Sequence, residues 1–279
     1  MTIHSRARGV TLLELLVVLM ILSIILTAAV KTWDVTLERG RQEITFRKLN
    51  QLATVIVGDR DYIVAGRRAD FGFVGDMGRL PDNLQELVVS PPITPPESSR
   101  WRGPYLRATF NESPDGFRID GWGDTIIYSP ESLFVRSLGG RGLADKTRWQ
   151  TVYLPFDRND LTGNSVAGQI VDVRGMPPPF NATILGSLKV EFEYPVEGKP
   201  HVDTLTWTPG GGQLKDDGSF SWEGVIPQGT HRLNVLYIDF YPPPPLVETT
   251  MTTADVTVYP GIGAHDVRLR LNLDWNDKP

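Results

Sequence analysis

An uninterrupted apolar run lies near the N-terminus of this chain and limits the folds that the chain can adopt. Residues 10–30, VTLLELLVVLMILSIILTAAV, contain a single charged side chain, that of Glu14. An α-helix rises about 1.5 Å per residue, so the run is roughly 30 Å long and matches the hydrocarbon core of a bilayer. The polar and basic leader before it, residues 1–9, is expected to stay on the cytoplasmic side. The run therefore predicts a membrane helix, with the lipid bilayer as a partner.

Two residues distinguish this run from a plain membrane anchor. Gly9 stands before the apolar residues, whereas an ordinary secretory signal has its small-residue cleavage site after them. Cleavage at Gly9 would therefore leave the hydrophobic helix on the product. A carboxylate inside a membrane costs about 2 kcal/mol or more, so Glu14 is expected to have a partner or a function. Glu14 is close to Val10 in sequence, and a free amino group on Val10 would compensate its charge.

The segment Gly9 to Val18, GVTLLELLVV, resembles the prepilin processing motif of type IV pilins and type II secretion pseudopilins. The resemblance implies cleavage between Gly9 and Val10 by a prepilin peptidase, followed by N-methylation of Val10. It also implies that Glu14 pairs with the N-terminus of a neighbouring subunit and sets the assembly register. The implied partners are the peptidase, other pilin or pseudopilin subunits and an inner-membrane assembly platform. Val10 replaces the commoner phenylalanine of the family.

The N-terminal helix is predicted to cover residues 10–57, because apolar residues recur at helical spacing among charged ones beyond the membrane run. Residues 58–160 are broken by Gly and Pro into short runs. A short helix is predicted at 82–88. The sheet expected here is small and antiparallel, lies on the N-terminal helix, and is made of strands at 117–120, 125–129 and 133–137. This part resembles the globular head of pseudopilins in its segments DGWG at 120–123 and SLG at 137–139.

Many pseudopilins hold a calcium ion in the loop that follows, but Arg141 stands where an aspartate is expected. Asp145, or Asp157 with Asn159 and Asp160, could supply oxygen ligands. Their spacing is not that of a calcium loop, and solvated turn carboxylates are the better interpretation. We therefore expect no metal ion and no cofactor.

Residues 165–275 are predicted to form a separate all-β sandwich. Short alternating runs are divided by turns rich in Gly, Pro and Asp. The predicted strands are 166–172, 183–185, 189–194, 204–207, 219–222, 232–237, 253–259 and 266–273. The segments VAGQIVDVRGMP and DDGSFSWEGVIPQGTHRLNV resemble transthyretin-like or carboxypeptidase regulatory-like sandwiches. That resemblance implies a turn at Asp217 and Gly218 and a core position for Phe220. The fold class is thus α+β: a long helix with a small sheet head, then the sandwich.

Composition and motifs exclude several function classes. The formal net charge of -5 argues against nucleic acid as a partner, and the absence of cysteine excludes thiol catalysis and disulfides. No recognised catalytic or phosphate-binding motif occurs, and the four histidines are far apart in sequence. We expect no enzymatic activity and assign no catalytic residues.

The sequence supports two functional hypotheses. In the first, the chain is a structural subunit of a type IV pilus-like or type II secretion pseudopilus filament. It would be held in the bacterial inner membrane by a single span and would then be assembled into a periplasmic or cell-surface fibre. In the second, it is a low-copy minor pilin or adhesin that displays a ligand-binding sandwich on a pilin-type anchor.

Overall fold

The computed structural model describes residues 12–106, 115–241 and 246–278. Its first element, α1, is a continuous 46-residue helix, Leu12–Val57. At about 1.5 Å per residue it is roughly 70 Å long, more than twice the thickness of a bilayer's hydrocarbon core. The helix passes through Gly40 without interruption and ends before Gly58, whose φ is 85°. A glycine adopts this left-handed conformation at little cost, so it closes the helix where the sequence predicts its end.

The head follows α1 and consists of short elements. These are β1 (Ile63–Val64), β2 (Arg67–Arg68), α2 (Gly72–Met77), β3 (Ile127–Ser129), β4 (Phe134–Ser137), β5 (Gln150–Tyr153) and α3 (Arg158–Thr162). Strands β3, β4 and β5 form an antiparallel sheet with β4 in the centre. Its inner face packs on α1, where Leu49, Leu52 and Ile56 recur at helical spacing and are at most 1% exposed. The head thus has a small antiparallel sheet laid on the long helix, as predicted, but its third strand is β5 and not the predicted strand at 117–120.

A second hydrophobic core lies C-terminal to the head. Its elements are β6 (Asn164–Val171), α4 (Ala182–Gly186), β7 (Leu188–Val196), β8 (Lys199–Thr206), β9 (Ser219–Ile226), β10 (Gly229–Tyr241), β11 (Leu246–Val258) and β12 (Ala264–Arg270). One sheet has the order β8-β7-β10-β11, and the other has the order β12-β6-β9 with β12 parallel to β6. Phe192, Phe220 and Trp222 are buried between the two sheets. The α+β class and the β-sandwich are therefore confirmed.

The predicted strand at 183–185 is wrong, because these residues lie in α4. The side-chain oxygen of Asn181 accepts a hydrogen bond from the Thr183 backbone N–H at 2.8 Å. This N-cap satisfies a donor that a helix start would otherwise leave unpaired. The cap outweighs the strand preference of the Thr-Ile-Leu run.

One predicted strand in the head is also wrong. Residues 117–120 do not form a strand: Gly116–Arg118 is a 3-10 helix, and an isolated bridge between Ile119 and Thr125 is the pairing that remains. The head also contains the short helix α2, which Gly78 closes in the left-handed conformation with φ of 68°. In both places hydrogen bonds between near neighbours decide the local structure.

Candidate functional site

The N-terminal half of α1 stands clear of the rest of the chain. Every side chain described between Leu12 and Leu37 is exposed, and Glu38 is the first residue of the helix that is partly covered. This half contains a span long and apolar enough to cross a membrane. Trp33, beyond the predicted membrane run, is 68% exposed. So much exposed apolar surface is unfavourable in water, and it requires lipid or protein around it.

Glu14 lies in the first turn of the described helix, among exposed apolar side chains. A carboxylate at this place interacts favourably with the partial positive charge of a helix N-terminus. Gly9 and Val10 lie outside the described residues, so the cleavage point and the methylated terminus stay sequence predictions. The assembly role of Glu14 is also a prediction, since it requires a second chain.

Polar contacts fix α1 to the head at the point where its exposed half ends. Glu38 accepts a hydrogen bond from Trp122 Nε1 at 3.1 Å. About two turns further on, the buried Thr45 Oγ1 accepts a hydrogen bond from the Gly121 N–H at 2.8 Å. Lys48 Nζ donates to two backbone carbonyls of the segment before β3, at 2.7 Å each. The exposed half of α1 is therefore continuous with a part of the helix that is fixed to the head.

The sandwich is attached to the same end of the head as the C-terminus of α1. Gln228, in the turn between β9 and β10, is fully buried. Its Nε2 donates to the carbonyls of Val57 and Phe71 at 2.9 and 3.1 Å, and its backbone N–H donates to the Leu161 carbonyl at 2.8 Å. Carbonyls at a helix C-terminus lack partners within the helix, so this side chain serves as a cap supplied by the sandwich.

A second turn of the sandwich, between β7 and β8, docks beside the first. The Gly198 N–H donates to the Met77 carbonyl at 2.7 Å, and the Gly198 carbonyl accepts from the Arg100 N–H at 2.8 Å. The Arg100 guanidinium also pairs with Glu193 at 3.1 Å. Together the two turns hold the sandwich in one orientation relative to α1.

A buried titratable group lies at this junction. His231 is 2% exposed, and its Nε2 donates to the Pro227 carbonyl at 2.8 Å. Burial lowers the pKa of His231 to about 4, and the nearby positive charge of Arg100 acts in the same direction. The ring packs against that of Phe192, with centroids 5.9 Å apart. His231 is therefore neutral at pH 7 and acts as a packing residue.

The carboxylates considered above as possible metal ligands accept hydrogen bonds from nearby backbone N–H groups. Asp145 Oδ1 accepts from the Thr147 N–H at 3.1 Å. Asp157 and Asp160 form a reciprocal capping box at the start of α3. In the described parts of the chain, no three His, Cys, Asp or Glu side chains converge in a way that could hold a metal ion.

The residues that join the parts of the molecule could not be predicted from the sequence. Thr45, Lys48 and Gln228 bind backbone atoms that are between 68 and 171 positions away in the chain. A single polar residue in a turn or on a helix has no periodic signal, so only the folded arrangement identifies these roles.

Residues 4–30 match the prokaryotic N-terminal methylation motif. The match confirms that the chain has the prepilin-type N-terminal segment indicated by GVTLLELLVV. No curated protein matches the chain significantly.

Two solved structures are similar to part of the chain, each with a TM-score of 0.25. One is a DUF3823 family protein from Parabacteroides merdae, 13% identical over 40% of this chain and 47% of that protein, so the match spans about half of the relative's length. The other is a putative carbohydrate binding protein from Pseudomonas aeruginosa, 14% identical over 41% of this chain and 90% of that protein.

Proposed function

We propose that this chain is a structural subunit of a type IV pilus-like or type II secretion pseudopilus filament, anchored by α1 and assembled through it. The observation that carries the proposal is the exposed apolar half of α1, residues 12–37, which continues without a break into the part of the helix that packs in the head. The methylation motif at its start supports the same function. In lipid, acyl chains would cover this surface, and in a filament the helices of other subunits would do so.

In this proposal the precursor is held in the bacterial inner membrane by one span. Prepilin peptidase cleaves between Gly9 and Val10, and an assembly platform transfers the mature chain into a periplasmic or cell-surface fibre. Glu14 pairs with the new N-terminus of a neighbouring subunit, which avoids the cost of burying an unpaired carboxylate. The role is mechanical and does not involve catalysis.

Cysteine cross-linking tests the assembly directly, because the chain has no native cysteine. A variant with Leu16→Cys and Leu26→Cys places both thiols on the exposed half of α1. Oxidation of cells that produce it should give a ladder of covalent multimers. The matched control, Thr253→Cys with Asp255→Cys on the exposed surface of β11, should give no ladder. Monomers alone from the helix variant would contradict filament assembly.

Glu14 offers a second test of the same proposal. Glu14→Ala should insert into the membrane as well as the parent, because it removes a charge from an apolar span. Its recovery in sheared fibres should fall about tenfold or more. Equal assembly of the two proteins would show that Glu14 does not set the register.

The attached sandwich favours a second candidate function, that of a low-copy minor pilin or adhesin with a ligand-binding sandwich. Gln228 and Gly198 hold this bulky module at the C-terminal end of α1. Every copy in a fibre would have to accommodate it. Quantitative mass spectrometry of sheared fibres separates the two candidates, since a high copy number favours the structural subunit and a few copies favour the minor one.

A further inference from the structure

The outer face of the head sheet carries a row of aromatic and cationic side chains. Along β4 and β5, Val135 and Val152 point towards α1, so their neighbours in sequence point away from it. The outward residues of the strands are Phe134, Arg136 and Tyr153, and the turn before β5 adds Trp149, whose ring lies against Arg136, and Lys146, which lies over that ring. We call these five residues the outer strip. It lies on the sheet face opposite α1, so packing of α1 against lipid or other helices leaves it accessible.

The guanidinium of Arg136 is held in a fixed position within the outer strip. It lies 4.2 Å from the ring centroid of Phe134 and 4.7 Å from that of Trp149. Its Nε donates to Thr151 Oγ1 at 2.8 Å. Among the described residues, no acceptor bonds its two terminal nitrogens. A planar fork oriented in this way matches a carboxylate, which it can bind through two parallel hydrogen bonds.

A second cation and an exposed ring extend the strip on either side. Lys146 Nζ lies 5.6 Å from the ring centroid of Trp149, and no carboxylate of the described chain pairs with it. Tyr153 is 65% exposed, and its ring meets that of Phe134 edge to face with centroids 6.1 Å apart. The strip therefore alternates apolar ring surface with positive charge, on a chain whose net charge is -5.

The size of the sheet decides which kind of partner fits. Three strands of about four residues, with about 3.3 Å per residue and about 4.8 Å between strands, cover roughly 200 Å². A stable complex of folded proteins buries about 800 Å² on each partner. The strip is far below that size but suits a few units of a chain polymer. Sugar rings present apolar C–H surface that can cover the aromatic rings, and acidic sugars carry the carboxylate that Arg136 lacks.

We propose that the outer strip binds an acidic oligosaccharide, with a uronate carboxylate on Arg136 and sugar rings against Tyr153 and the exposed parts of Phe134 and Trp149. Lys146 attracts a second carboxylate of the same polymer. This site lies on the head and does not involve the sandwich, and its chemistry does not depend on filament assembly.

The test uses the purified full chain in detergent micelles at low salt, with tetragalacturonic acid as the probe and calorimetry as the readout. The methyl ester of tetragalacturonic acid has the same sugar rings without the charges, and it should bind at least tenfold more weakly than the acid. Arg136→Lys keeps the positive charge but removes the planar guanidinium and its pair of donors, so it should weaken binding of the acid about tenfold. Tyr153→Ala, at a 65% exposed position, should weaken it several-fold without loss of folding. The matched control Arg232→Lys, on the exposed face of β10, should leave it unchanged.

Several results would overturn the assignment. The assignment would be wrong if the parent chain did not bind the acid, or if it bound the acid and the ester equally. It would also be wrong if Arg232→Lys lost as much affinity for the acid as Arg136→Lys. Full affinity in both Arg136→Lys and Tyr153→Ala would also reject the site. A tetraglutamate peptide that binds as tightly as the sugar acid would show that the strip recognises acidic protein segments instead.

Discussion

Replacing Gln228 with leucine should loosen the joint between the head and the sandwich. Leucine has nearly the same volume, so packing is largely preserved and the change removes the amide donor. The lost interactions are the hydrogen bonds from Nε2 to the carbonyls of Val57 and Phe71. Both carbonyls keep a second donor, because Arg68 Nη2 also bonds Val57 at 2.7 Å and the Gly75 N–H also bonds Phe71 at 3.0 Å. Neither oxygen is therefore left without a partner.

The magnitude follows from this geometry. Leucine also removes the buried Gln228 Oε1, which has no hydrogen-bond partner among the described residues, and this offsets part of the loss. Two lost bonds at about 1 kcal/mol net each therefore give a decrease of at most about 2 kcal/mol. For a chain of this size that corresponds to a decrease in Tm of about 5 °C if the head and the sandwich unfold together. The loss should appear first as faster amide exchange at the end of α1 and in the turn between β9 and β10.

Denaturant titration of the full chain in detergent, followed by tryptophan fluorescence, measures the change in the free energy of unfolding. Hydrogen exchange with mass spectrometry locates it. The control is Gln51→Leu, the same substitution at an exposed position of α1, which should change stability by less than about 0.5 kcal/mol. A loss below 0.5 kcal/mol in Gln228→Leu, or an equal loss in the control, would refute the assignment of Gln228 as the cap that joins the two parts.

Two further predictions concern the same junction. The pKa of His231 is about 4 in the folded chain and 6.5 in the unfolded chain. Between these pH values the unfolded chain therefore binds a proton that the folded chain does not. The free energy of unfolding should be constant above pH 6.5 and fall by up to about 3 kcal/mol as the pH decreases to 4. Denaturant titrations across this pH range should show the decrease in the free energy of unfolding in the parent and in the exposed control His265→Gln. A decrease in His231→Gln as large as in the parent would contradict the prediction. Gly78 has φ of 68°, and an added Cβ would lie 2.0 Å from the Pro195 carbonyl oxygen, so Gly78→Ala should cost about 3 kcal/mol in the same titration. Gly66→Ala has a similar φ in open space and should cost about 1 kcal/mol; equal losses would show that the close approach to Pro195 is unimportant.

The periodic parts of the chain were predictable, and the short capped elements were not. The end of α1 at Val57 and most sandwich strands follow patterns within a few residues, which a sequence displays directly. At 183–185 a β-rich run folds as a helix because Asn181 caps it. At 117–120 a turn of 3-10 helix replaces the expected strand. Runs of three or four residues have too little periodicity to outweigh one cap or one glycine.

The amino-acid sequence alone indicated the prepilin-type segment, because its apolar length and the placement of Gly9 and Glu14 are local properties of one stretch of chain. It also determined the α+β class, because helix and strand periods differ. The folded arrangement was needed to identify three other features: Gln228 caps α1, Arg136 lies against the rings of Phe134 and Trp149, and β12 runs parallel to β6. These features depend on contacts between segments far apart in sequence, and local patterning does not encode which distant surfaces meet.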